Sequence, residues 1–124
     1  SFIYQRGTLA PFARQSDDTA MTMTNLHDHV GADVAGIDLA HPGDDATFAG
    51  IEQAFYQKSV LVFRGQNLPP DAQIAFSRRF GSLEVHILHQ FQLTGHPEVL
   101  VLSNKTDAEG KAVGLVDAGR YWHT

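Results

Sequence analysis

The side-chain chemistry open to this 124-residue chain is set by seven histidines and no cysteines. Without thiols there is no disulfide, no thiolate metal site and no cysteine nucleophile. Imidazole and carboxylate remain as ligands, a pairing that suits iron, zinc or manganese. His86 and His89 stand three residues apart beside Leu88 and Phe91. Two readings of them stay open: a ligand or substrate-binding role, or partly buried histidines bonded to backbone. His123 follows Trp122 at the end of a strand-like stretch, residues 120–124. Residues i and i+2 of a strand share a face. A His-X-Asp pair there aims imidazole and carboxylate at one point, two of the three groups of a 2-His-1-carboxylate iron site. The sequence supplies His123 and Thr124, and the acid would have to come next. His27 and His29, flanking Asp28, read as solvent-exposed. His41 before Pro42 reads as surface, and His96 before Pro97 as a loop residue. No Gly-X-Ser-X-Gly elbow and no glycine-rich phosphate loop is present.

The elements that must position these groups follow from local pattern. Residues 33–39 form a strand with Ala35, Ile37 and Leu39 on one face, ended by His41-Pro42-Gly43. Asp44 or Asp45 caps a helix that runs to about Gln57, with Phe48, Ile51 and Phe55 as its apolar stripe. Gly50 weakens that helix by roughly 1 kcal/mol relative to alanine. Residues 59–64 are apolar on both faces and read as a buried strand. Pro69 and Pro70 open a second helix to about Phe80, with Ala72, Phe76 and Phe80 in register and Gly81 as its cap. Residues 84–88 and 98–103 read as strands, and 104–119 as a loop with a hairpin around Glu109-Gly110.

Length and charge exclude several functions. A chain of this size is one domain with a modest core. Hydrophobic residues make up 43% of it, too many for disorder. Nine basic against 14 acidic residues leave a net charge of −5, which argues against nucleic acid or an anionic membrane as partner. The longest clear apolar run, Val60-Leu61-Val62-Phe63, is strand-sized, so no membrane span is expected. Residues 1–20 lack periodicity and precede Met21 and Met23, the only two methionines. They are either a native arm or a non-native or disordered leader ahead of a start at Met21 or Met23, and the second reading is preferred. The aromatic, strand-prone end at residues 121–124 reads as the interior of a fold, so the chain is expected to be cut there.

In order along the chain, several stretches resemble one family. Gly31-Ala32-Asp33-Val34-Ala35-Gly36-Ile37-Asp38-Leu39 resembles the opening strand of the TauD/TfdA family of Fe(II)/2-oxoglutarate-dependent dioxygenases, the taurine and 2,4-dichlorophenoxyacetate type. Gln57-Lys58-Ser59-Val60-Leu61-Val62-Phe63-Arg64-Gly65-Gln66 is similar to its next buried strand. The proline-started helix ending Phe76-Ser77-Arg78-Arg79-Phe80-Gly81 continues the likeness. Gly119-Arg120-Tyr121-Trp122-His123-Thr124 resembles the approach to the family's Trp-His-X-Asp iron motif. The resemblance covers residues 23 to 124.

What the resemblance implies is an α+β chain that forms the N-terminal part of a double-stranded β-helix (jelly-roll, cupin-like) dioxygenase fold, with two flanking helices. Residues 21–124 would be that portion of the domain, truncated at the iron motif. His123 matches the first iron ligand. His86 matches a histidine that contacts the substrate's anionic group, His89 falls where taurine-type members carry a tyrosine, and Gly119 stands where they carry a substrate-contacting asparagine. The departures at His89 and Gly119 point away from taurine and toward a different small carboxylate or sulfonate. Cofactor and co-substrates would be Fe(II), 2-oxoglutarate and O2, in a cytoplasmic enzyme that hydroxylates a small anionic molecule while 2-oxoglutarate goes to succinate. A homo-oligomer is compatible with this reading. The alternatives are a non-catalytic binding or interaction fragment, and a cupin-like metal binder with another activity.

Overall fold

A computed structural model of the chain describes residues 20–116. Gly119, His123 and the expected strand at 120–124 therefore lie outside the described residues. The chain divides into two compact units at Phe80/Gly81. Among the described residues, two α-helices and two small sheets make an α+β architecture. No helix among the described residues is long and apolar enough to cross a membrane.

In the first unit, β1 (Thr22–Asn25) pairs antiparallel with β2 (Ala32–Ala35), which pairs parallel with β3 (Leu61–Phe63). A parallel pair needs a crossover, and helix α1 (Asp45–Lys58) supplies it. Of the two expected cap candidates, Asp44 starts α1: its carboxylate accepts hydrogen bonds from Thr47 N at 2.9 Å and Thr47 Oγ1 at 2.8 Å. The first of these satisfies a first-turn N–H that the helix itself leaves unpaired, and together they hold the Asp44 carboxyl below its ordinary pKa. Ser59 ends the helix in the left-handed region, φ +62°, and its N–H donates to Phe55 O at 2.8 Å. At the same end, Lys58 Nζ donates to Asp28 O at 2.9 Å, tying the β1–β2 loop to the helix.

Helix α2 (Pro70–Arg78) begins where the proline pair predicts. It ends slightly early: Phe80 N donates to Ser77 O in a tightened last turn, and Gly81 follows at φ +146°. The core is the contact of these helices with the sheet. Leu39, Phe48, Ile51, Leu68 and Phe76 form its buried centre. Phe48, Phe76 and Phe80 meet edge to face, with ring centroids 4.9–6.1 Å apart, the arrangement that aromatic quadrupoles favour. Ala54 joins Phe48 and Ile51 on the buried face of α1, whereas Phe55 sits at its margin.

Several sequence expectations need correction. The strand expected over 33–39 stops at Ala35, and its buried face is Ala32 and Val34 rather than Ala35. Gly36, at φ +76°, breaks the two-residue alternation. Inward positions shift from even to odd numbers, so Leu39 is buried after all. Residues 84–88 form no strand. Val85 and Ile87 alternate correctly, but they are exposed, and among the described residues no strand pairs with them.

The second unit is a hairpin with a long return. β4 (Gln92–Leu93) pairs antiparallel with β5 (His96–Leu100) around Thr94-Gly95. His96 thus opens a strand rather than lying in a loop. Beyond it, the turn expected at Glu109-Gly110 is present: Gly110 N donates to Asp107 O at 3.1 Å, and the Asp107 carboxylate accepts from Glu109 N and Lys111 N. Gly114 passes so close to the β5 exit that a Cβ there would lie 2.7 Å from Val101 O and 2.8 Å from Ser103 N.

Candidate functional site

Of the four site residues expected from sequence, the described structure contains His86 and His89. They lie in the second unit, on the irregular stretch before β4, and both are exposed. A short 3-10 turn, His89–Phe91, gives this stretch its shape. His89 N donates to Ile87 O at 3.0 Å and Phe91 N to Leu88 O at 3.1 Å.

Each ring is held through its Nδ1 atom. Leu88 N donates to His86 Nδ1 at 3.1 Å. Gln92 Nε2 donates to His89 Nδ1 at 2.9 Å and to the carbonyl oxygen of His86, also at 2.9 Å. A neutral imidazole has one N–H donor and one acceptor nitrogen, so a ring whose Nδ1 accepts carries its hydrogen on Nε2. Both rings can therefore offer an N–H to an anion. Neither Nε2 offers the lone pair that a metal ligand needs. One expected reading, a histidine bonded to backbone, describes the His86 Nδ1 contact, although the ring is exposed rather than partly buried.

Gln92 is the residue that sequence reasoning missed. Its only sequence signal is its spacing, three residues after His89 and six after His86, with a polar side chain at the start of a short strand.

Other described histidines stand elsewhere. His27 and His29 are exposed with ring centroids 5.8 Å apart. His41 pairs through Nδ1 with Asp38 Oδ2 at 3.1 Å. That pair borders a shallow depression of about 220 Å³ beside Met21, Ile37 and Thr47. Among the described residues, no three His, Asp or Glu side chains come together as metal ligands. With the Nδ1 atoms of His86 and His89 engaged, residues 20–116 do not fit an iron site.

The sequence profile of the "Taurine catabolism dioxygenase TauD, TfdA family" matches residues 22–124. Pentalenolactone F synthase of Streptomyces avermitilis is 39% identical over 97 residues, 77% of this chain and 32% of that protein. The alpha-ketoglutarate-dependent 2,4-dichlorophenoxyacetate dioxygenase of Cupriavidus pinatubonensis is 49% identical over 59 residues, 48% of this chain and 21% of that protein. The crystal structure of a taurine dioxygenase from Burkholderia xenovorans superposes with a TM-score of 0.61 at 32% identity, covering 66% of this chain and 29% of that one. The chain thus spans about a third or less of the length of these relatives. Most of its length, including both sheet strands that flank α1 and the segment carrying His86 and His89, falls within the family match, and the chain belongs to the TauD/TfdA family.

Proposed function

We propose that this chain is the N-terminal portion of an Fe(II)/2-oxoglutarate-dependent dioxygenase that hydroxylates a small anionic organic substrate, a carboxylate or sulfonate. The observation that carries this reading is the family match over residues 22–124. Dioxygenases of this family use Fe(II) and 2-oxoglutarate. In the complete protein, residues 21–124 belong to a jelly-roll, cupin-like domain, with residues 1–20 as a leader outside it. His123 is the first iron ligand, and His86, His89 and Gly119 contact substrate. O2 is the second co-substrate, 2-oxoglutarate leaves as succinate and carbon dioxide, and the protein works in the cytoplasm.

The Nε2–H form of His86 and His89 supports the substrate assignment, because a carboxylate or sulfonate oxygen accepts from such a donor. The same form argues against either residue as an iron ligand. A carboxylate substrate is supported by the relative that acts on 2,4-dichlorophenoxyacetate.

The test is succinate formation from 2-oxoglutarate with Fe(II), ascorbate and small carboxylates or sulfonates. The complete protein turns over and its His123→Ala variant does not. The 124-residue chain alone, with one proposed iron ligand, gives no turnover. Undiminished turnover in the His123→Ala variant would remove that residue from the metal site.

A further inference from the structure

The two substrate-facing histidines share a neighbour, the side-chain amide of Gln92. An amide NH2 group has two hydrogens. Gln92 uses one on the His86 carbonyl and the other on His89 Nδ1, each at 2.9 Å. The two bonds do different things. The first fixes the backbone at His86 to the start of β4. The second decides which nitrogen of His89 carries the proton. His86 needs no such help, since the Leu88 N–H already occupies its Nδ1 at 3.1 Å. The geometry points to Gln92 as a positioning residue that locks His89 as an Nε2–H donor, so that the 86–89 segment offers two neutral N–H groups to the anionic group of the substrate. This inference rests on the substrate-binding reading of His86 and His89 given above.

Without the Gln92 amide, the exposed His89 ring is free to adopt either tautomer. In one of them Nε2 presents a lone pair, which repels a carboxylate instead of binding it. The turn itself would survive such a change. Its backbone bonds, His89 N to Ile87 O and Phe91 N to Leu88 O, do not involve the Gln92 side chain.

The tautomers are read directly by long-range proton–nitrogen correlation on the full 124-residue chain labelled at histidine. The expected result is Nε2–H in both His86 and His89. In Gln92→Glu the carboxylate accepts and cannot donate, so His89 switches to Nδ1–H while His86 keeps Nε2–H. In Gln92→Met, of similar size without a donor, His89 shows a mixture of both forms. Acetate, used as the probe, moves the His89 signals of the wild type and binds Gln92→Met about twofold more weakly, because only the Nε2–H fraction of a mixed ring is competent to donate. A wild-type His89 in the Nδ1–H form, or an unchanged His89 tautomer in Gln92→Glu and Gln92→Met alike, overturns the proposal. If Gln92→Glu fails to fold, the wild type and Gln92→Met decide. None of these readouts uses iron or turnover. An inactive parent protein would therefore defeat the proposed dioxygenase function without touching this result.

Discussion

Gln66 holds the backbone of Leu39 from 27 residues away. Its Oε1 accepts from Leu39 N at 2.8 Å, while its Nε2 donates to Ile37 O at 2.9 Å and to Arg64 O at 3.2 Å. One side chain thus fastens the segment after β2 to the turn after β3, in place of the ladder that β2 gives up at Gly36. Replacing Gln66 with leucine leaves a part-buried N–H and carbonyl without partners. The expected loss is about 1–3 kcal/mol in urea unfolding. A change smaller than a few tenths of a kcal/mol would mean that water replaces these bonds.

Asp44 gives α1 a pH-sensitive start. Its folded pKa lies below the ordinary 3.8, chiefly because the Thr47 backbone N–H bonds the charged form. A depressed carboxyl pKa contributes stability that is present above the unfolded value and lost as pH falls through the folded one. Asparagine caps about as well and does not titrate. The wild type should therefore lose stability relative to Asp44→Asn only below about pH 4, as melting curves across the acid range will read. A gap between the two that widens near neutral pH would contradict this origin.

Ser59 occupies a backbone region that costs most L-residues energy. At φ +62° it closes α1 with a bond from its N–H to Phe55 O. Glycine takes that conformation freely and keeps the N–H. Ser59→Gly should raise stability by about 0.5–1 kcal/mol, visible as a higher melting temperature. Ser59→Val should lower it, because a β-branched residue is strained there.

Gly114 is constrained by space rather than by φ. A methyl group would press on Val101 O and Ser103 N, both backbone atoms that cannot swing aside. Leu115 N to Val101 O, at 2.8 Å, would have to lengthen. Gly114→Ala should cost about 1–3 kcal/mol and speed amide exchange at Leu115. Exchange unchanged from wild type would show that the segment shifts without strain.

In the complete protein, His86→Ala should raise KM for substrate about tenfold to a hundredfold. A charge-assisted bond is worth roughly 1.5–3 kcal/mol, and 1.4 kcal/mol is a factor of ten. The anaerobic absorption band that reports iron and 2-oxoglutarate binding should persist. Its loss, to the same extent as in His123→Ala, would place His86 in the metal site.

The helices were legible in the sequence because each carries its own punctuation. Asp44 supplies a cap for α1, and Pro69-Pro70 an entrance for α2. Strands carry less. The alternation at Val85 and Ile87 looks like a strand until one asks what pairs with it, and no local pattern answers that. The phase of β2 departs from the sequence pattern because a glycine with positive φ resets the alternation, and nothing around Gly36 announces that its φ is positive. His86 and His89 could be singled out by residue type and order. Gln92 could not, since its importance lies in reaching back over two distances at once, a property of the folded turn.

The parallel pairing of β2 with β3 has a kinetic consequence. Ala32 meets Leu61 only after the whole of α1 has been laid across the gap. Closing so long a loop costs chain entropy before any strand contact returns it. The capped helix, whose contacts are local, is thus expected to form before the sheet is complete, while the β1–β2 hairpin, joined through Leu26 N to Gly31 O, can close on its own. Asp44 and Ser59 substitutions should then change the refolding rate in nearly full proportion to their effect on stability, whereas Val34→Ala at the β2–β3 seam, buried at 1% exposure, should act more on the unfolding rate.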